Sequence, residues 1–559
     1  MGMFTLTVLD TSGIQAYIFG TNNLRQNVGA SYLVDSVTGL WVKECLDELG
    51  LRHNLSVRGG GLVLLEDRRI ERGELDAELI YSGGGNAVIL FQNPDPQVAS
   101  CPPATGFAQA LTRKALLESP GLQVIVAHQD FDWDHNPLGG DQGVLQSAMQ
   151  TLAKHKASPQ VSCQTYALAI TAACIYTGKA ATGLDEDRRP VSVEVIAKTR
   201  AAARANRRLS ENFKSKFDYP LDFDHLGGTQ DESSYIAVIH TDGNGMGKRV
   251  RQISAAHAHP GAGNRDYIQA QRAFSDSIAR AATTALRNTV RRLEDSVEYD
   301  SENRPHIGGV VYLKENSLPF RPLVFGGDDV TFVCDGRLGL SLTAYYLQQL
   351  SAQRLSDGDY VHCRAGVAIV KTHYPFSRAY TLAEDLCASA RNYIQQAGGA
   401  LTAMDWHFAK NGMVLSLKQI RRREYHLQTG RLNMTPVWIT APEAHWRSWD
   451  TFTRTVTAFQ ASQEWSGRRN KVKALREALR AGPESVRHFL KLYEVKDERL
   501  PALAADGASW QTTAERDGWL PAGAWDQDNY LPDEEPAGQI CAYFDPIEAL
   551  DFFVPLKGA

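Results

Sequence analysis

The chain has 559 residues, 43% hydrophobic and 22% charged, with a formal net charge of −5. Such a length implies roughly three or four domains, and the composition is that of a soluble globular protein with room for a large core. The acidic balance excludes a global basic field that would draw the protein onto nucleic acid, so any RNA or DNA contact has to use local patches. The N-terminus, MGMFTLTVLD, lacks the basic-then-apolar layout of a signal peptide. No stretch approaches the ~18 apolar residues of a membrane span, so no membrane association is expected. The cysteines are scattered without a C-x-x-C, which argues against a disulfide framework or a simple zinc knuckle. A reducing cytoplasm is the expected location.

In chain order, residues 4–19, FTLTVLDTSGIQAYIF, begin as a strand and turn at Thr11-Ser12-Gly13. The spacing of Val28, Tyr32, Val34, Leu40, Val42 and Leu46 predicts one helix over 23–49. AELIYSGGGNAVILF, 77–91, reads as strand, glycine turn, strand. A helix follows near 107–118, and LQVIVAHQDF, 122–131, is another strand. This β-α-β-β-α-β order is the ferredoxin-like arrangement of a palm. It recurs downstream. SYIAVIHTDGNGMG, 234–247, runs from a strand into a glycine-rich turn. Asp266 is expected to cap the next helix, with Gln269 in the capping-box position. Phe274, Ile278, Ala281, Ala285, Thr289 and Leu293 then form one helical stripe. LVFGGDDVTFV, 323–333, is a hairpin, 338–353 a helix, CRAGVAIVK, 363–371, a strand, and 379–396 the last helix of the set.

The fold class expected is therefore α+β, with two ferredoxin-like palm domains, a helical linker domain and a C-terminal helical domain. The expected boundaries are 1–149 for the first palm, 150–230 for the linker, 231–415 for the second palm and 416–559 for the mostly helical C-terminal domain. The two palms read as an internal duplication visible in element order. The last stretch, rich in Pro, Asp and Trp, reads as surface loops around short elements.

The hairpin carries the chemistry. A glycine pair between two β-runs tolerates the positive φ of a tight turn and leaves no side chain in the way of a phosphate. Asp328 and Asp329 follow that pair. Alone, GGDD also describes a solvated turn. Asp242, however, ends the apolar strand YIAVIH, and in a palm sheet that strand lies beside the hairpin. Three crowded carboxylates repel one another unless a cation neutralises them. Hard oxygen ligands of this kind suit Mg²⁺ or Mn²⁺, and a pair of such ions supports nucleotidyl transfer. The turn Gly243-Asn244-Gly245 offers backbone N–H groups to a triphosphate. Lys248 and Arg391 are candidate cations for its β- or γ-phosphate, the alternative being solvated helix-surface charges.

The motifs LDTSGIQAYIFGTNNLRQNVGASYLV, SGGGNAVILF, IAVIHTDGNGMG, VFGGDDVTFV and AGVAIVKTHYPFSRAYTLAEDL occur in that order. Together, over roughly residues 4–410, they resemble the large palm-domain subunit of type III CRISPR effector complexes, the cyclic oligoadenylate synthetase family. The resemblance implies two palms packed face to face, like paired GGDEF diguanylate cyclase domains, with the second palm binding the metals. It implies that Asp242, Asp328 and Asp329 are the catalytic metal ligands and that Gly326 and Gly327 let the triphosphate approach. The first palm reads GGGN at 83–86, lacks both hairpin carboxylates, and is expected to hold no metal but to help hold a second ATP. Asp10 and Ser12 match the family's first-strand turn, and Ser82 and Asn86 are candidates to contact nucleotide at the inter-palm cleft; ordinary turn chemistry is the alternative for these four. The implied activity is Mg²⁺-dependent joining of ATP into cyclic oligoadenylates for antiviral defence. The implied partners are ATP, other CRISPR effector subunits, and guide or target RNA.

Three departures stand out. No His-Asp doublet sits in a helical N-terminal domain, so an HD nuclease activity is not expected. Only Cys163 and Cys174 lie in the linker, so the family's four-cysteine zinc module is expected to be absent. Arg391 stands where a lysine is common, which keeps the charge but not the point-like ammonium. The basic runs Lys198–Arg208 and Arg468–Arg476 read as solvated helix faces that could touch RNA or a partner. The acidic loop at Asp130, Asp132, Asp134 and His135 lacks a second histidine at ligand spacing and reads as solvated. The C-terminal tryptophans read mostly as packing residues. Two rival functions stay open: another cyclic-nucleotide chemistry on the same palm, and a non-catalytic nucleotide- or RNA-binding scaffold.

Overall fold

The computed structural model describes residues 3–58, 61–93, 102–158, 170–226, 234–409, 416–440, 445–503, 510–522 and 538–558. Cys101, Cys163 and Trp525 lie outside the described residues.

The first half of the chain runs β1 (Met3–Ser12), α1 (Ile14–Phe19), α2 (Leu24–Thr38), α3 (Leu40–Glu48), a β2–β3 hairpin (Leu55–Arg58, Gly61–Leu64), β4 (Ala77–Gly83), β5 (Asn86–Gln92), α4 (Pro103–Glu118), β6 (Gln123–Asp132) and α5 (Val144–Ala157). A two-residue ladder, β7 (Gly183–Leu184) with β8 (Pro190–Val191), precedes α6 (Val193–Phe213). The main sheet has the order β4-β5-β1-β6, every neighbour antiparallel.

The second half runs β9 (Tyr235–Gly243), α7 (Met246–Ala256), α8 (Ala262–Asp295), a small sheet of β10 (Val297–Tyr299), β11 (Pro305–Ile307) and β12 (Val311–Tyr312), then β13 (Phe320–Val324), β14 (Val330–Asp335), α9 (Gly339–Ser351), β15 (Cys363–Lys371), α10 (Phe376–Gln396) and β16 (Thr402–Ala409). There follow α11 (Leu417–Glu424), β17 (His426–Leu427), β18 (Gly430–Arg431), β19 (Val437–Thr440), α12 (Trp449–Ala461), α13 (Arg469–Ala481), α14 (Pro483–Leu492), α15 (Gln511–Asp517), β20 (Trp519–Pro521), β21 (Gln539–Cys541) and α16 (Phe544–Glu548). The large sheet has the order β13-β14-β9-β15-β16-β19. Its first four strands repeat the first sheet's pattern, in which the earliest strand lies between the third and the fourth. β16 adds in parallel to β15, and β19 closes the edge.

Alternation along the strands sorts the core, because successive side chains face opposite sides of a sheet. Phe4, Leu6 and Val8 pack with Val144, Ala148 and Leu152 of α5 and with Tyr267 and Ile268 of α8. On the other side, Leu9, Ile89 and Phe91 share one apolar core with Ile236, Val238, Val333 and Val370 of the large sheet. The reverse face of that sheet, with Ile239, Phe332 and Val367, packs on α8, α9 and the C-terminal helices. The two sheets are therefore joined through a continuous hydrophobic layer. A buried charge cluster adds to this junction. Glu78 of β4 takes Arg265 Nη1 at 2.7 Å and Arg272 Nη2 at 2.8 Å, both from α8, and Arg265 also pairs with Glu71.

Gly366 of β15 permits the packing that shapes the site. A Cβ there would lie 2.0 Å from the Ala383 carbonyl oxygen and 2.4 Å from the Cys387 nitrogen, so only glycine lets α10 rest on the strand.

Three expectations need correction. The helix over 23–49 breaks at Gly39, whose φ of −113° and ψ of −96° lie outside helical values. Asp266 does not cap a helix: α8 starts at Ala262, after Gly261, and Asp266 lies inside its first turns. That start is fixed by Asn264, whose side-chain oxygen accepts from the Leu138 N–H at 2.6 Å and whose amide donates to the Trp133 and Asn136 carbonyls at 3.0 Å. The C-terminal stretch is not a set of surface loops where it is described. Tyr543, Phe544, Ile547, Phe552, Phe553 and Val554 are buried against the second half's core, and β20 and β21 join β17 and β18 in a four-stranded sheet. Trp438, Trp446, Trp449, Trp465 and Trp519 are likewise buried. Among the described residues, no helix is long and apolar enough to cross a membrane.

Candidate functional site

Asp242 is the penultimate residue of β9, the central strand, and the turn between β13 and β14 brings Asp328 and Asp329 to the same end of the sheet. Register fixes this: Thr241 faces Val330 across the β9–β14 pair. Gly243 shows how tightly the two segments meet. A Cβ built on it would lie 2.9 Å from the Asp328 Cβ and 2.8 Å from the Met246 Cγ. Gly326 has φ +111°, and a Cβ at Gly326 or Gly327 would meet nothing within 4 Å, so the tip of the hairpin is open.

The carboxylates sense one another. The Asp328 carboxyl is raised, first by burial and then by the charge of Asp242. The Asp329 carboxyl is pushed up to about 7, first by desolvation and then by Asp242 and Asp328. Its side chain is 54% exposed, so water tempers the first effect. Burial and crowding together favour a nearby cation, or else protonation, as relief from repulsion.

Asp242 has found its own relief. Arg364 stands directly opposite on β15. It ion-pairs with Asp242 and donates to the Gly243 carbonyl at 3.1 Å and to Asn244 Oδ1 at 2.7 Å. Among the described residues, no group of three or more His, Cys, Asp or Glu side chains is arranged to hold a metal ion. Asp328 and Asp329 nevertheless suit a hard divalent cation: both carboxyls are raised, and neither has a lysine or arginine ion pair among the described residues.

Around these carboxylates stand His240 of β9, Tyr380 and Glu384 of α10, and Gln15 of α1. His240 Nδ1 lies 3.3 Å from Asp329 Oδ1, and its burial lowers its basicity. The Tyr380 ring meets His240 edge-on at 5.6 Å. Glu384, raised first by burial, hydrogen-bonds Gln15. Gln15 follows the Ser12 turn of the first sheet, so this contact ties the ends of the two sheets together.

The remaining expected residues fall as follows. Gly245, with φ +71°, immediately precedes α7, and Lys248 is exposed in that helix's first turn. The Asn244 amide donates to the Leu401 carbonyl at 3.1 Å and its oxygen accepts from Arg364, so the side chain is already engaged. Arg391 is exposed on α10, one turn beyond Cys387. Ser12, Ser82 and Asn86 are half-buried at one end of the first sheet. There Thr11 donates from its N–H and its hydroxyl to the Gly85 carbonyl at 2.9 Å, and Asn86 Nδ2 reaches the Gly84 carbonyl at 3.4 Å. Asp10 pairs with Lys156 of α5. In the acidic loop, Asp132 accepts from the Asp134 and His135 backbone N–H groups, a turn arrangement.

Sequence reading missed Arg364, His240, Glu384 and Gln15. His240 was detectable, since it lies two residues before Asp242 on the same strand face. An arginine followed by Ala365-Gly366 in an apolar strand also signals a buried cation seeking a partner.

No protein-family model matches this chain, and no curated protein matches it. Solved structures that it resembles are Csm1–Csm4 assemblies. The cassette in complex with pppApApA gives 11% identity and a TM-score of 0.49, covering 98% of this chain and 69% of that one. The cassette with cA4 gives 12% and 0.48, covering 98% and 69%. Csm1 in T. onnurineus gives 13% and 0.49, covering 98% and 69%. Against the apo cassette, at 12% identity and a TM-score of 0.39, the match covers 72% of this chain and 53% of that chain.

Proposed function

We propose that this chain is a Mg²⁺- or Mn²⁺-dependent nucleotidyltransferase that joins ATP through 3′–5′ linkages into short cyclic oligoadenylates, as a signal in CRISPR-type antiviral defence. The observation that carries the reading is the convergence of Asp328, Asp329 and Asp242 at an open, glycine-lined sheet end. In this reading both sheets are ferredoxin-like palms of the GGDEF type, and the second is the catalytic one.

A divalent ion bound there would polarise the acceptor 3′-hydroxyl and offset charge on the leaving pyrophosphate. The chain's own residues do the rest. Asp328 and Asp329 supply hard oxygens at the hairpin tip. Gly326 and Gly327 leave space for a triphosphate beside them. The turn at Gly243-Asn244-Gly245 and the N-terminus of α7 present backbone N–H groups, and helix N-termini favour anions. Lys248 of α7 and Arg391 of α10 are exposed cations, assigned in this reading to the outer phosphates. In this reading Ser12, Ser82 and Asn86 hold a second nucleotide from the end of the first sheet, the end from which Gln15 reaches Glu384. ATP, a Csm4-like effector subunit, and guide or target RNA are the partners proposed with this reading; the Csm4 pairing and the cA4 ligand belong to the solved neighbours.

The test is incubation of the full chain with each NTP and Mg²⁺ or Mn²⁺, followed by pyrophosphate measurement and mass spectrometry of products. ATP should yield pyrophosphate and oligoadenylates, and Asp328→Ala/Asp329→Ala should abolish both. Pyrophosphate from ATP with a cyclic dinucleotide or mononucleotide as the product would favour the other cyclase chemistry. No pyrophosphate from wild type would leave a nucleotide- or RNA-binding scaffold.

A further inference from the structure

Asp242 is expected to ligate a divalent ion, yet its carboxylate already faces a fixed cation. Arg364 is directly across the β9–β15 pair, and its side chain is only 9% exposed. It donates to three consecutive residues at the end of β9: the Asp242 carboxylate, the Gly243 carbonyl at 3.1 Å and Asn244 Oδ1 at 2.7 Å. The turn is held from behind as well. The Asn244 N–H donates to the His362 carbonyl at 2.7 Å and its side-chain amide to the Leu401 carbonyl at 3.1 Å. Among the described residues Asp328 and Asp329 have no comparable partner, and the Asp329 carboxylate faces His240 Nδ1 at 3.3 Å.

We infer that the Arg364 guanidinium takes the place of one of two divalent ions, so that the site binds a single Mg²⁺ or Mn²⁺ on Asp328 and Asp329 while Asp242 anchors Arg364. The inference rests on the reading of this site as a metal-dependent nucleotidyltransferase. Two physical arguments support it. A guanidinium is never deprotonated in a protein and presents several donors in a fixed fork, so it is a permanent counter-charge that satisfies the turn's acceptors as well. Displacing it would leave a buried, unpaired cation, which is strongly unfavourable. Charge balance points the same way. One divalent ion and one guanidinium together neutralise three carboxylates, whereas two divalent ions beside the same guanidinium would leave the cleft with excess positive charge before any phosphate arrives. Arg364 is thus a positioning residue: it fixes the phosphate-facing turn through Asp242 and sets how many ions the site takes.

The test is Mn²⁺ binding to the full chain without nucleotide, followed by electron paramagnetic resonance of free Mn²⁺. Thermal melting of each variant checks folding. Wild type should bind one Mn²⁺ that Asp328→Ala/Asp329→Ala loses. Asp242→Asn should keep that ion with affinity changed by no more than about threefold. Arg364→Ser should gain a second Mn²⁺, which Arg364→Ser/Asp242→Asn loses again, and Arg364→Lys should return to one. Loss of the ion in Asp242→Asn, or two site ions in wild type, overturns the inference while leaving metal-dependent transfer intact. Absence of any Mn²⁺ that depends on Asp328 and Asp329 overturns both. Should Arg364→Ser or Asp242→Asn fail to fold, since either breaks the buried Arg364–Asp242 pair, the number of Mn²⁺ ions that wild type holds and Asp328→Ala/Asp329→Ala loses decides: one supports the inference and two overturn it.

Discussion

Gly243→Ala tests whether the closeness of β9 to the hairpin is what the site depends on. The added methyl would lie 2.9 Å from the Asp328 Cβ and 2.8 and 2.9 Å from Met246 Cγ and Cε. Met246 ends in a flexible thioether and can swing aside at little expense. The Asp328 Cβ cannot, because it is fixed to the backbone of the turn. It must retreat by about 0.6 Å to reach an ordinary carbon–carbon contact of ~3.5 Å. Overpacking of this kind costs about 1–3 kcal/mol of stability. Its effect on chemistry should be proportionately larger: a misplacement of ~1 Å can cost ~100-fold in rate, so a shift of this size predicts a loss of about tenfold or more. Gly327→Ala is the control, because its Cβ would meet nothing within 4 Å and its φ is not positive. Stability should be unchanged there, and any loss of rate would report nucleotide passing over the tip. The assay is steady-state pyrophosphate release from ATP with urea unfolding in parallel. A Gly243→Ala variant with wild-type turnover would refute the claim that Asp328 and β9 act as one unit.

Other expectations follow from buried charge. Glu78→Gln leaves Arg265 and Arg272 buried with half their counter-charge gone, and should destabilise the chain by about 3–5 kcal/mol in denaturant unfolding. The Glu78 carboxyl is held below its ordinary value by those arginines, despite its burial. Its stabilising contribution is therefore present above the unfolded carboxylate pKa and lost as pH falls through the lower folded value. Asp545 shows the opposite sign. It is buried and pushed up to about 7 by desolvation, although its Oδ2 accepts from the Met434 N–H at 2.7 Å and the Thr435 N–H at 3.2 Å. Because the folded state holds that proton more tightly, its contribution is full at low pH and lost as pH rises toward 7. Asp545→Asn should flatten this part of the profile, read as a smaller difference in urea midpoint between pH 5 and pH 8 than in wild type. Gln15→Ala, by removing the link to Glu384, should weaken the use of ATP as acceptor more than ATP binding at the catalytic sheet, seen as a rise in KM with the hairpin carboxylates intact.

Much of the architecture could be read from the chain because its strands are runs of alternating or continuous apolar residues bounded by glycine. β1, β4, β5, β6, β9, β14 and β15 all lie where those runs lie. What escaped was decided by contacts distant in sequence. The break at Gly39 interrupts a helical pattern that continues on both sides, so periodicity alone bridges it. The start of α8 depends on Asn264 reaching the loop after β6, more than a hundred residues earlier. The C-terminal Phe552, Phe553 and Val554 sit among local turn formers, yet they complete a core built by elements from the middle of the chain. The site divides the same way. Asp242, Asp328 and Asp329 share one end because strand order puts them there, and strand order follows from the recurrent element pattern. Arg364 is absent from that reading because its meaning lies in a cross-strand pair, and register between distant strands is not written in either strand alone.

The proposed function assigns the chemistry to one sheet only, and the two sheets differ in a way that fits this assignment. Both carry an aspartate near the end of the central strand, and both give it a basic partner: Lys156 for Asp10, Arg364 for Asp242. The partners differ in kind. Lys156 reaches Asp10 from a helix lying on the sheet face and has a half-exposed side chain, whereas Arg364 belongs to the adjacent strand and is buried in the sheet itself. A lysine held from outside can leave; an arginine in the ladder holds the turn in place. The hairpins differ more. GGGN closes with Asn86 turned back on the Gly84 carbonyl, a self-contained turn, while GGDD ends in two carboxyls raised first by burial and then by neighbouring aspartates, neither with a lysine or arginine ion pair among the described residues. A neutral turn offers nothing to a divalent ion, so the first sheet is left to present hydroxyls and amides. The second retains an unbalanced negative tip beside a rigid, already neutralised strand end, and that imbalance is what a metal-bound triphosphate can satisfy.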